Sequence, residues 1–326
     1  MSAADFVPSE GASCPAASVI VLAYNAAPTI GRSLGALTRQ DCSEEFEIIV
    51  VWSGEDDTAG IVSRDFPNVR LVGRPARLLT GATRNLGLAH ARGEIIAFLA
   101  ADCEVPEDWL SRRIAAHRAG FRCVGGAVVC AEPAGAVARA SHLLEFIACS
   151  TRRPRAVVDQ PLYNLSLHRE VFARHGGYEE TLACGEDTLF NWRLAHGHER
   201  FLFDPAIRTI HREPERLREL LQHQYWHGAW FGWLCRRHGT PGRDGTKRLG
   251  LWWILLWYPA GRLARLAWRV YCWQPKELPE LVLLSPLLVL GVLSAALGLL
   301  RGWVGRHPDF ADKASGGASR TPPDPR

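Results

Sequence analysis

Acidic residues stand at three places in the sequence where they could hold a metal ion or move a proton. Asp56 and Asp57 follow one apolar run, Asp102 follows another, and Glu186 and Asp187 are adjacent. Carboxylates coordinate hard divalent cations, and a carboxylate can also take a proton from a hydroxyl group. The elements around these residues must bring them together for either chemistry.

Strands and helices alternate through the first hundred residues, and their order predicts where the polar loops lie. Short apolar runs rich in β-branched residues predict strands at 18–23, 47–52, 69–72 and 94–99. Helical spacing predicts helices at 30–37, from 58 to about 64, and at 80–90. This alternation favours a parallel sheet covered on both faces, and ligands bind beyond the carboxyl ends of such strands. The predicted binding loops are therefore 23–28, 52–58 and 100–104.

Charge and tryptophan divide the chain into two unlike parts. The 326 residues carry a formal net charge of +4, but residues 1–209 have 25 acidic and 21 basic residues, whereas residues 210–306 have 6 and 14. Nine of the 12 tryptophans lie between Trp226 and Trp303. Basic residues mixed with aromatic ones are typical of a nucleic-acid-binding or a membrane-facing segment. The nine cysteines form no CxxC pair, which argues against a disulfide framework and against a zinc ribbon.

An apolar run near the end favours the membrane over nucleic acid. Residues 281–300 contain no charge, and a helix of that length spans about 30 Å, the thickness of a bilayer's hydrocarbon core. Arg301, Trp303 and Arg306 follow the run as an interfacial anchor. We therefore predict a transmembrane helix at 281–300, a membrane partner and no nucleic-acid partner.

The stretch 249–273 has two interpretations. Its first thirteen residues are uncharged, which is too short to span, and Arg262, Arg265 and Arg269 then follow at a spacing that places them on one helix face. The stretch is either a first membrane span with arginines near one end or an amphipathic helix in the membrane interface, and we favour the interfacial helix. Because no secretory signal begins the sequence, we expect a cytoplasmic large domain at the inner face of the cell membrane.

Several ordered motifs give the chain, from about Ser18 to His211, a resemblance to a known family. They are SVIVLAYN at 18–25, IIVVWSGEDDT at 48–58, GATRNLGLAHARGEIIAFLAADC at 81–103, NLSLHREVFARHGGY at 164–178, and ACGEDTLFNWRL at 183–194 with FDPAIRTIHRE at 203–213. In this order they resemble glycosyltransferase family 2, the GT-A nucleotide-sugar transferases. The resemblance implies an α/β fold of the GT-A type, with a mostly parallel sheet and helices on both faces, followed here by C-terminal membrane helices.

This resemblance and the composition together divide the chain into five parts. We expect a GT-A domain at 16–213, a basic juxtamembrane or interfacial helix at 214–248 and a membrane segment at 249–306. Residues 1–15 and 307–326 have the composition of disordered tails.

The resemblance also implies a divalent metal, Mn²⁺ or Mg²⁺, that holds the donor's diphosphate. Asp102 matches the second carboxylate of the family's Asp-x-Asp motif, and His211 matches a histidine that often completes the metal site. A carboxylate beside an imidazole suits Mn²⁺, and oxygen ligands suit Mg²⁺ as well. Ala100 replaces the first Asp of the motif, so one of the family's carboxylates is missing here.

By the same resemblance, the donor nucleotide is bound by the predicted loops and by the helix at 80–90. The implied residues are Ala23, Tyr24, Asn25, Trp52, Ser53, Arg84, Asn85, Ala101 and Asp102. Arg84 matches a family arginine near the nucleotide, where a guanidinium can pair with phosphate. Trp52 and Ser53 stand where relatives carry Asp for the nucleobase, and Trp52 either stacks on a base or fills a gap in the core. Asp56 or Asp57 either supplies a substitute acid or stabilises a helix N-terminus.

The adjacent carboxylates Glu186 and Asp187 match the family's Glu-Asp motif, in which the Asp is the general base. Asp187 would take the proton from the acceptor hydroxyl, while Glu186 orients hydroxyl groups and Gly185 allows the acceptor to come close to the backbone. One base without a separate nucleophile implies a single displacement with inversion at the anomeric carbon. The favourable position of acidic residues at a helix N-terminus also explains both carboxylates.

The leading hypothesis is a membrane-anchored inverting glycosyltransferase that moves a sugar from a cytoplasmic nucleotide-sugar donor to a lipid-linked or membrane-proximal acceptor. One alternative is a catalytically silent GT-A domain that serves as a membrane scaffold or regulator, which Ala100 and Trp52 motivate. A nucleotidyltransferase is another alternative, because it shares the sheet and the acidic loop. A processive polysaccharide synthase is disfavoured, because residues 222–226 place Tyr225 at the Arg position of that class's Gln-x-x-Arg-Trp motif.

Overall fold

The first hundred residues form the alternating strands and helices that the sequence predicts. The structure is a computed structural model, which describes residues 14–158, 164–238 and 257–305. It begins with β1 (Ala17–Tyr24), α1 (Ile30–Leu37), β2 (Phe46–Ser53), α2 (Thr58–Asp65), β3 (Arg70–Arg74), α3 (Thr80–His90) and β4 (Ile95–Ala100). The four predicted strands and three predicted helices are confirmed, with end points that differ by no more than two residues.

The second half of the α/β domain adds five strands and four helices in the part that the structure describes. These elements are β5 (Cys103–Glu104), α4 (Trp109–Arg118), β6 (Cys123–Cys130), α5 (Ala136–Phe146), β7 (Ala156–Val158), β8 (Leu165–His168), α6 (Arg169–His175), α7 (Glu186–His196) and β9 (Phe201–His211). A 3₁₀ turn, Ile147–Cys149, follows α5.

Nine strands form one mixed sheet in the order β3-β2-β1-β4-β8-β6-β9-β5, with β7 paired to β9. The pairs β3-β2, β2-β1 and β1-β4 are parallel. Strand β8 then lies antiparallel between β4 and β6, and β9 runs parallel to β6 but antiparallel to β5 and β7. The parallel arrangement predicted from the sequence therefore holds in the first half of the sheet, and β8 makes the sheet as a whole mixed.

Helices cover both faces of this sheet, as predicted. On one face, Val19 and Val21 of β1 pack with Ile30 and Leu34 of α1, in a buried cluster that also includes residues of α2 and α4. On the other face, Ile20 packs in a second cluster with residues of α3, α6 and α7. Successive β1 side chains thus enter opposite cores, which explains why residues 19–23 of the strand are all apolar.

Among the described residues after 213, three helices pack against the α/β domain. They are α8 (Leu217–His238), α9 (Tyr258–Trp273) and α10 (Leu278–Val304), with a 3₁₀ turn, Pro275–Glu277, before α10. A third buried cluster joins Leu144 of α5, Leu220 of α8, Leu266 of α9 and Leu288 of α10. The C-terminal helices are therefore packed onto the catalytic domain through an apolar core of their own.

Helices α8 and α10 approach each other so closely that glycine is needed at their contact. A Cβ atom at Gly228 would lie 2.0 Å from the Ala295 carbonyl oxygen, and one at Gly298 would lie 1.9 Å from the Tyr225 carbonyl oxygen. The Ser294 hydroxyl donates a hydrogen bond of 2.7 Å to the Leu221 carbonyl, which is also on α8. Backbone contact of this kind is typical of helices that associate through small residues.

Within the part of the chain that the structure describes, one helix is long and apolar enough to cross a membrane. It covers Pro275–Val304, and 39% of its most apolar 18-residue stretch is buried against the rest of the protein. Its other side is exposed and apolar, with the exposed residues Val282, Leu283, Val289, Leu290, Leu293, Leu297 and Val304. The predicted run 281–300 is therefore helical, with one side packed against the protein and the other side exposed. Its insertion into a membrane stays a prediction.

Helix α9 forms the later part of the stretch 249–273. At 16 residues it is about 24 Å long, shorter than the core of a bilayer. Leu266 and Val270 are buried, while Trp268 and Tyr271 are exposed. Residues 239–256, most of the predicted tail 1–15 and the whole of the predicted tail 307–326 lie outside the described residues.

Candidate active site

A pocket of about 480 Å³ opens at the carboxyl ends of β1 and β4, where the sequence places the donor nucleotide. It brings together six of the predicted donor residues, which are Ala23, Tyr24, Asn25, Arg84, Ala101 and Asp102. The Tyr24 ring is 45% exposed, and the Arg77 guanidinium lies 4.2 Å from its centroid. We call this the nucleotide pocket.

The loops around the nucleotide pocket are fixed by their own side chains. Asn25 has a left-handed φ of 46°, and its Oδ1 atom accepts a hydrogen bond of 3.0 Å from the Glu55 backbone. Asp56 accepts bonds from the Ala27 backbone at 2.8 Å and from the Thr58 hydroxyl at 2.5 Å. Asp56 therefore ties the loop after β1 to the start of α2, and its carboxylate is used in holding the loop.

Trp52, Ser53 and Asn85 are not among the residues that line the nucleotide pocket. Trp52 packs against the core on the α1 face of the sheet, which is the second of its two predicted roles, and Ser53 is buried. The Asn85 side chain bonds the Tyr178 backbone amide and carbonyl, both at 2.8 Å, and the Glu180 carboxylate. Asn85 is therefore hydrogen-bonded within the framework and Trp52 packs against the core, and the donor-binding roles of the three residues stay predictions.

Asp102 and His211, the predicted metal ligands, face each other beside this pocket. The pairing of β5 with β9 sets Cys103 opposite His211, and His211 Nε2 lies 4.0 Å from Asp102 Oδ2. His211 Nδ1 lies 3.0 Å from Glu213 Oε1, so a buried carboxylate orients the ring. A carboxylate that holds the second nitrogen of a histidine is the usual support of a metal-binding imidazole.

The donor set at this position fits Mn²⁺ or Mg²⁺ through Asp102 and His211. Asp102 is 48% exposed, so its oxygens can reach a ligand that enters the nucleotide pocket. Cys103 is close enough to join the two, but burial raises the pKa of its thiol well above its ordinary value. A protonated thiol is a poor metal ligand.

A central cavity of about 360 Å³ lies next to the nucleotide pocket and is lined by the predicted base, one predicted donor-binding residue and one predicted metal ligand. Arg84, Asp187 and His211 all line it. Arg84 also lines the nucleotide pocket, so the two spaces meet at its side chain. The sequence prediction that these residues share one site is consistent with this arrangement, although they come from three distant segments.

Arg84 and Glu186 form a buried ion pair behind the cavity. Arg84 Nε donates to Glu186 Oε1 at 3.3 Å, and the guanidinium lies 4.9 Å from the Phe98 ring centroid and 5.1 Å from the Tyr178 ring centroid. Glu186 is 4% exposed. Burial and the neighbouring Asp187 raise the pKa of Glu186, and Arg84 opposes that shift. The pair therefore fixes the first turn of α7 against α3.

Asp187 lies in that first turn of α7 and borders two spaces. Its Oδ1 atom accepts a hydrogen bond of 2.6 Å from the Thr188 backbone, and the carboxylate lines both the central cavity and a larger outer cleft. Gly185 caps the helix with a left-handed φ of 82°, and a Cβ atom there would lie 2.6 Å from Leu234 Cδ1 of α8. Glycine is needed at this position for its backbone conformation and for the approach of α8.

The outer cleft, about 950 Å³, lies between residues 184–188 and the C-terminal helices. Its lining includes Gly185 and Asp187 on one side, and Arg262, Arg265 and Arg269 of α9 on the other. Apolar residues of α8 and α9 complete it, among them Trp230, Phe231, Leu234, Trp257 and Leu266. Burial, and then the neighbouring Arg153 and Arg265, lower the pKa of Arg269. Within the described ranges no carboxylate forms an ion pair with Arg265 or Arg269, so this wall is positively charged.

Among the polar residues of the central cavity that were not predicted from the sequence, three have ionisable side chains on the helices α5, α8 and α9. They are Glu145 on α5, His227 on α8 and Arg262 on α9. Each lies in a helix whose local pattern gives no sign of a site, because the cavity forms only when the three helices pack. The spacing of His223 and His227, one helical turn apart, is the one signal that could have indicated a site.

Comparison with known proteins agrees with this geometry. Residues 18–176 match the family model described as glycosyl transferase family 2. Glycosyltransferase AglE of Haloferax volcanii is 32% identical over 130 residues, which are 38% of this chain and 43% of that protein. The chain therefore spans less than half the length of this curated relative.

Two solved structures share the fold over most of their length. Mannosyltransferase PcManGT from Pyrobaculum calidifontis, in complex with GDP-Man and Mn²⁺, gives a TM-score of 0.57 at 20% identity and covers 88% of this chain and 87% of its own. Residues 1–349 of TarS from S. aureus give a TM-score of 0.52 at 17% identity and cover 87% and 91%. The motifs, the family match and these shared folds lead to one conclusion: residues 18–176 form a glycosyltransferase family 2 domain, in a chain with the GT-A fold.

Proposed function

We propose that the protein transfers a sugar from a nucleotide-sugar donor to a lipid-linked acceptor at a membrane surface, with inversion at the anomeric carbon. The observation that carries this proposal is the continuity of three spaces. Arg84 borders both the nucleotide pocket and the central cavity, and Asp187 borders both the central cavity and the outer cleft. A donor entering from one side and an acceptor entering from the other would meet beside Asp187.

The donor would lie with its nucleoside in the nucleotide pocket and its sugar in the central cavity. The exposed Tyr24 ring offers a face on which a base can stack. Mn²⁺ or Mg²⁺ held by Asp102 and His211 would supply positive charge to the diphosphate leaving group. Arg84 adds a second, permanent positive charge, which matters because the first 209 residues are net acidic.

Asp187 would act as the base in a single displacement. Its carboxylate takes the proton of the acceptor hydroxyl while the hydroxyl oxygen forms a bond to the anomeric carbon. The bond between that carbon and the diphosphate oxygen breaks at the same time, and the nucleoside diphosphate leaves with the electron pair. Attack from the side opposite the leaving group inverts the configuration at the anomeric carbon. The buried pair of Arg84 and Glu186 holds the turn that carries Asp187.

The outer cleft supports an acceptor that combines negative charge with an apolar part. Arg262, Arg265 and Arg269 can pair with a phosphate group, because guanidinium geometry matches phosphate oxygens. The Trp230 and Leu266 side chains of the same cleft suit an alkyl chain. We therefore favour a lipid phosphate as the carrier of the acceptor hydroxyl.

The exposed side of α10 would contact lipid and hold the cleft at the inner leaflet of the cell membrane, with the catalytic domain in the cytoplasm. Changing Leu283, Leu290 and Leu297 together to Glu should release the protein from anionic vesicles in a flotation assay, since burying those charges in lipid is costly. Val157→Glu, on an exposed strand of the catalytic domain, is the matched control and should float as the wild type does. Unchanged flotation of the triple variant would contradict this role of α10.

Transfer itself is tested by screening UDP-sugars and GDP-sugars for thermal stabilisation with Mn²⁺, and then by analysing the products of the donors that bind. A ligand that binds only the folded state raises the apparent melting temperature. Release of free nucleoside diphosphate together with a glycosylated acceptor is the expected result. Release of pyrophosphate would support a nucleotidyltransferase. Donor binding without any turnover would support the alternative of a catalytically silent membrane scaffold.

A further inference from the structure

A second group of metal-ligating side chains lies outside the predicted donor and metal residues. It consists of Glu145 on α5 and of His223 and His227 on α8, and we call it the helix cluster. The two histidines fall in and next to residues 222–226, the segment that is faintly similar to a processive-synthase motif. The reaction proposed above uses none of the three.

The geometry of the helix cluster is that of a small metal site. The ligand atoms of its three residues all lie within 4.8 Å of one another. His223 Nε2 lies 2.5 Å from Glu145 Oε1, and the ring centroids of His223 and His227 are 4.2 Å apart. Histidines four residues apart on one helix face present their nitrogens to the same point, and a carboxylate from a neighbouring helix completes three ligands.

Supporting residues hold the carboxylate of the cluster in place. Gln224, which is 1% exposed, donates a hydrogen bond of 2.9 Å to Glu145 Oε1. Arg262 in turn donates a bond of 2.8 Å to Gln224 Oε1 and another of 3.1 Å to the Leu144 carbonyl. Hydrogen bonds of this kind orient metal ligands and are part of the affinity of natural sites. The carboxylate is therefore fixed before any ion arrives.

We propose that Glu145, His223 and His227 bind a divalent transition-metal ion, distinct from the ion of the Asp102 and His211 site. Two imidazole nitrogens and one carboxylate oxygen favour Zn²⁺, Co²⁺ or Ni²⁺ over Mg²⁺, which prefers oxygen ligands. Three protein ligands leave an open position for water or for an oxygen of a bound molecule.

The helix cluster lies where the central cavity meets the outer cleft, between the proposed positions of donor and acceptor. Glu145 and His227 line the central cavity, and His227 also lines the outer cleft, as Asp187 does. An ion in the cluster would add positive charge at the border between the central cavity and the outer cleft. Its binding does not depend on the proposed transfer reaction, so the site and the reaction can be tested separately.

The test is titration of the metal-stripped, full-length protein with Co²⁺ in an excess of Mg²⁺, followed by the visible absorption of the bound ion. The wild type should bind one strongly absorbing Co²⁺. Asp102→Asn should bind it equally well, which separates the helix cluster from the other site, and so should His90→Ala, a change to an exposed histidine elsewhere. His227→Ala should bind Co²⁺ about 10- to 100-fold more weakly or worse, since losses of this size follow even from changes to residues that only support a metal ligand.

Folding is checked by circular dichroism, and a second variant, Glu145→Gln, tests the carboxylate while keeping a side chain that Gln224 can bond. It should weaken Co²⁺ binding in the same way as His227→Ala. The proposal is overturned by a folded His227→Ala or Glu145→Gln protein that binds Co²⁺ like the wild type. An absence of absorption in the wild type at millimolar Co²⁺ would overturn it as well.

Discussion

The buried pair of Arg84 and Glu186 makes the stability of the protein depend on pH in a way that a single substitution should expose. Arg84→Gln removes the positive charge and leaves Glu186, 4% exposed, beside Asp187. Removing one partner of a buried ion pair typically costs about 3–5 kcal/mol when the other partner stays charged. Without Arg84 the pKa of folded Glu186 rises further, because burial and the neighbouring Asp187 then favour the protonated form unopposed.

The direction of the pH dependence follows from where the proton is bound. Without Arg84, folded Glu186 keeps its proton to a higher pH than unfolded Glu186, whose pKa is about 4.5. The extra destabilisation should therefore be small near pH 5, grow as the pH rises, and approach about 3–5 kcal/mol near pH 8.

Urea unfolding at pH 5, 6, 7 and 8, followed by tryptophan fluorescence, measures this difference between variant and wild type. Arg84→Lys keeps the charge and should show a much smaller slope. The double variant Arg84→Gln with Glu186→Gln should lose the slope, since the titrating group is gone. A loss of stability that is the same at every pH in Arg84→Gln would refute the reasoning, and so would a slope that survives in the double variant.

Two further predictions concern the framework. Burial lowers the pKa of His117 to about 3 in the folded protein, against about 6.5 unfolded, so the protein should lose up to about 5 kcal/mol of stability as the pH falls through this window. His117→Gln can keep the hydrogen bond to Ser166 and should lose less stability in acid than the wild type, as measured by unfolding at several pH values. The same loss of stability between pH 6.5 and 3 in variant and wild type would contradict this prediction. Gly228→Ala should cost about 1–3 kcal/mol, because its Cβ atom would meet the Ala295 carbonyl, whereas Gly31→Ala, with nothing within 4 Å, should be neutral or stabilising by about 1 kcal/mol in thermal unfolding. Equal effects of the two glycine changes would show that α8 and α10 do not pack as described.

Local sequence patterns were sufficient to place the first four strands and the main polar loops. Most residues of β1, β2 and β4 are apolar and lie between the two cores, so these strands stand out from the amphipathic helices around them, whereas β3 is a short strand at the edge of the sheet. The rule that ligands bind at the carboxyl ends of parallel strands predicted the region of Asp102. The resemblance to the family assigned Arg84 and Asp187 to the same region. The structure places Arg84 between Asp102 on one side and Asp187 on the other.

Roles that depend on distant partners could not be predicted in this way. Asn85 is used by the Tyr178 backbone, 93 residues away, and Asp56 is used by the loop after β1, so neither position reveals its role locally. Trp52 had two possible roles until the packing of β2 was known. The same holds for the helix cluster, in which Glu145 meets His223 only because α5 and α8 pack together.

The central claim, that Asp187 is the base of a glycosyl transfer, is tested most directly by the turnover of Asp187→Asn with a donor that the wild type uses. Asn keeps the size of the side chain and an oxygen that can accept the hydrogen bond from the Thr188 backbone, but it cannot take up the acceptor's proton. The kcat of Asp187→Asn should be about 100- to 10,000-fold lower than that of the wild type, while the affinity for the donor is unchanged. Turnover of the variant equal to that of the wild type would contradict it.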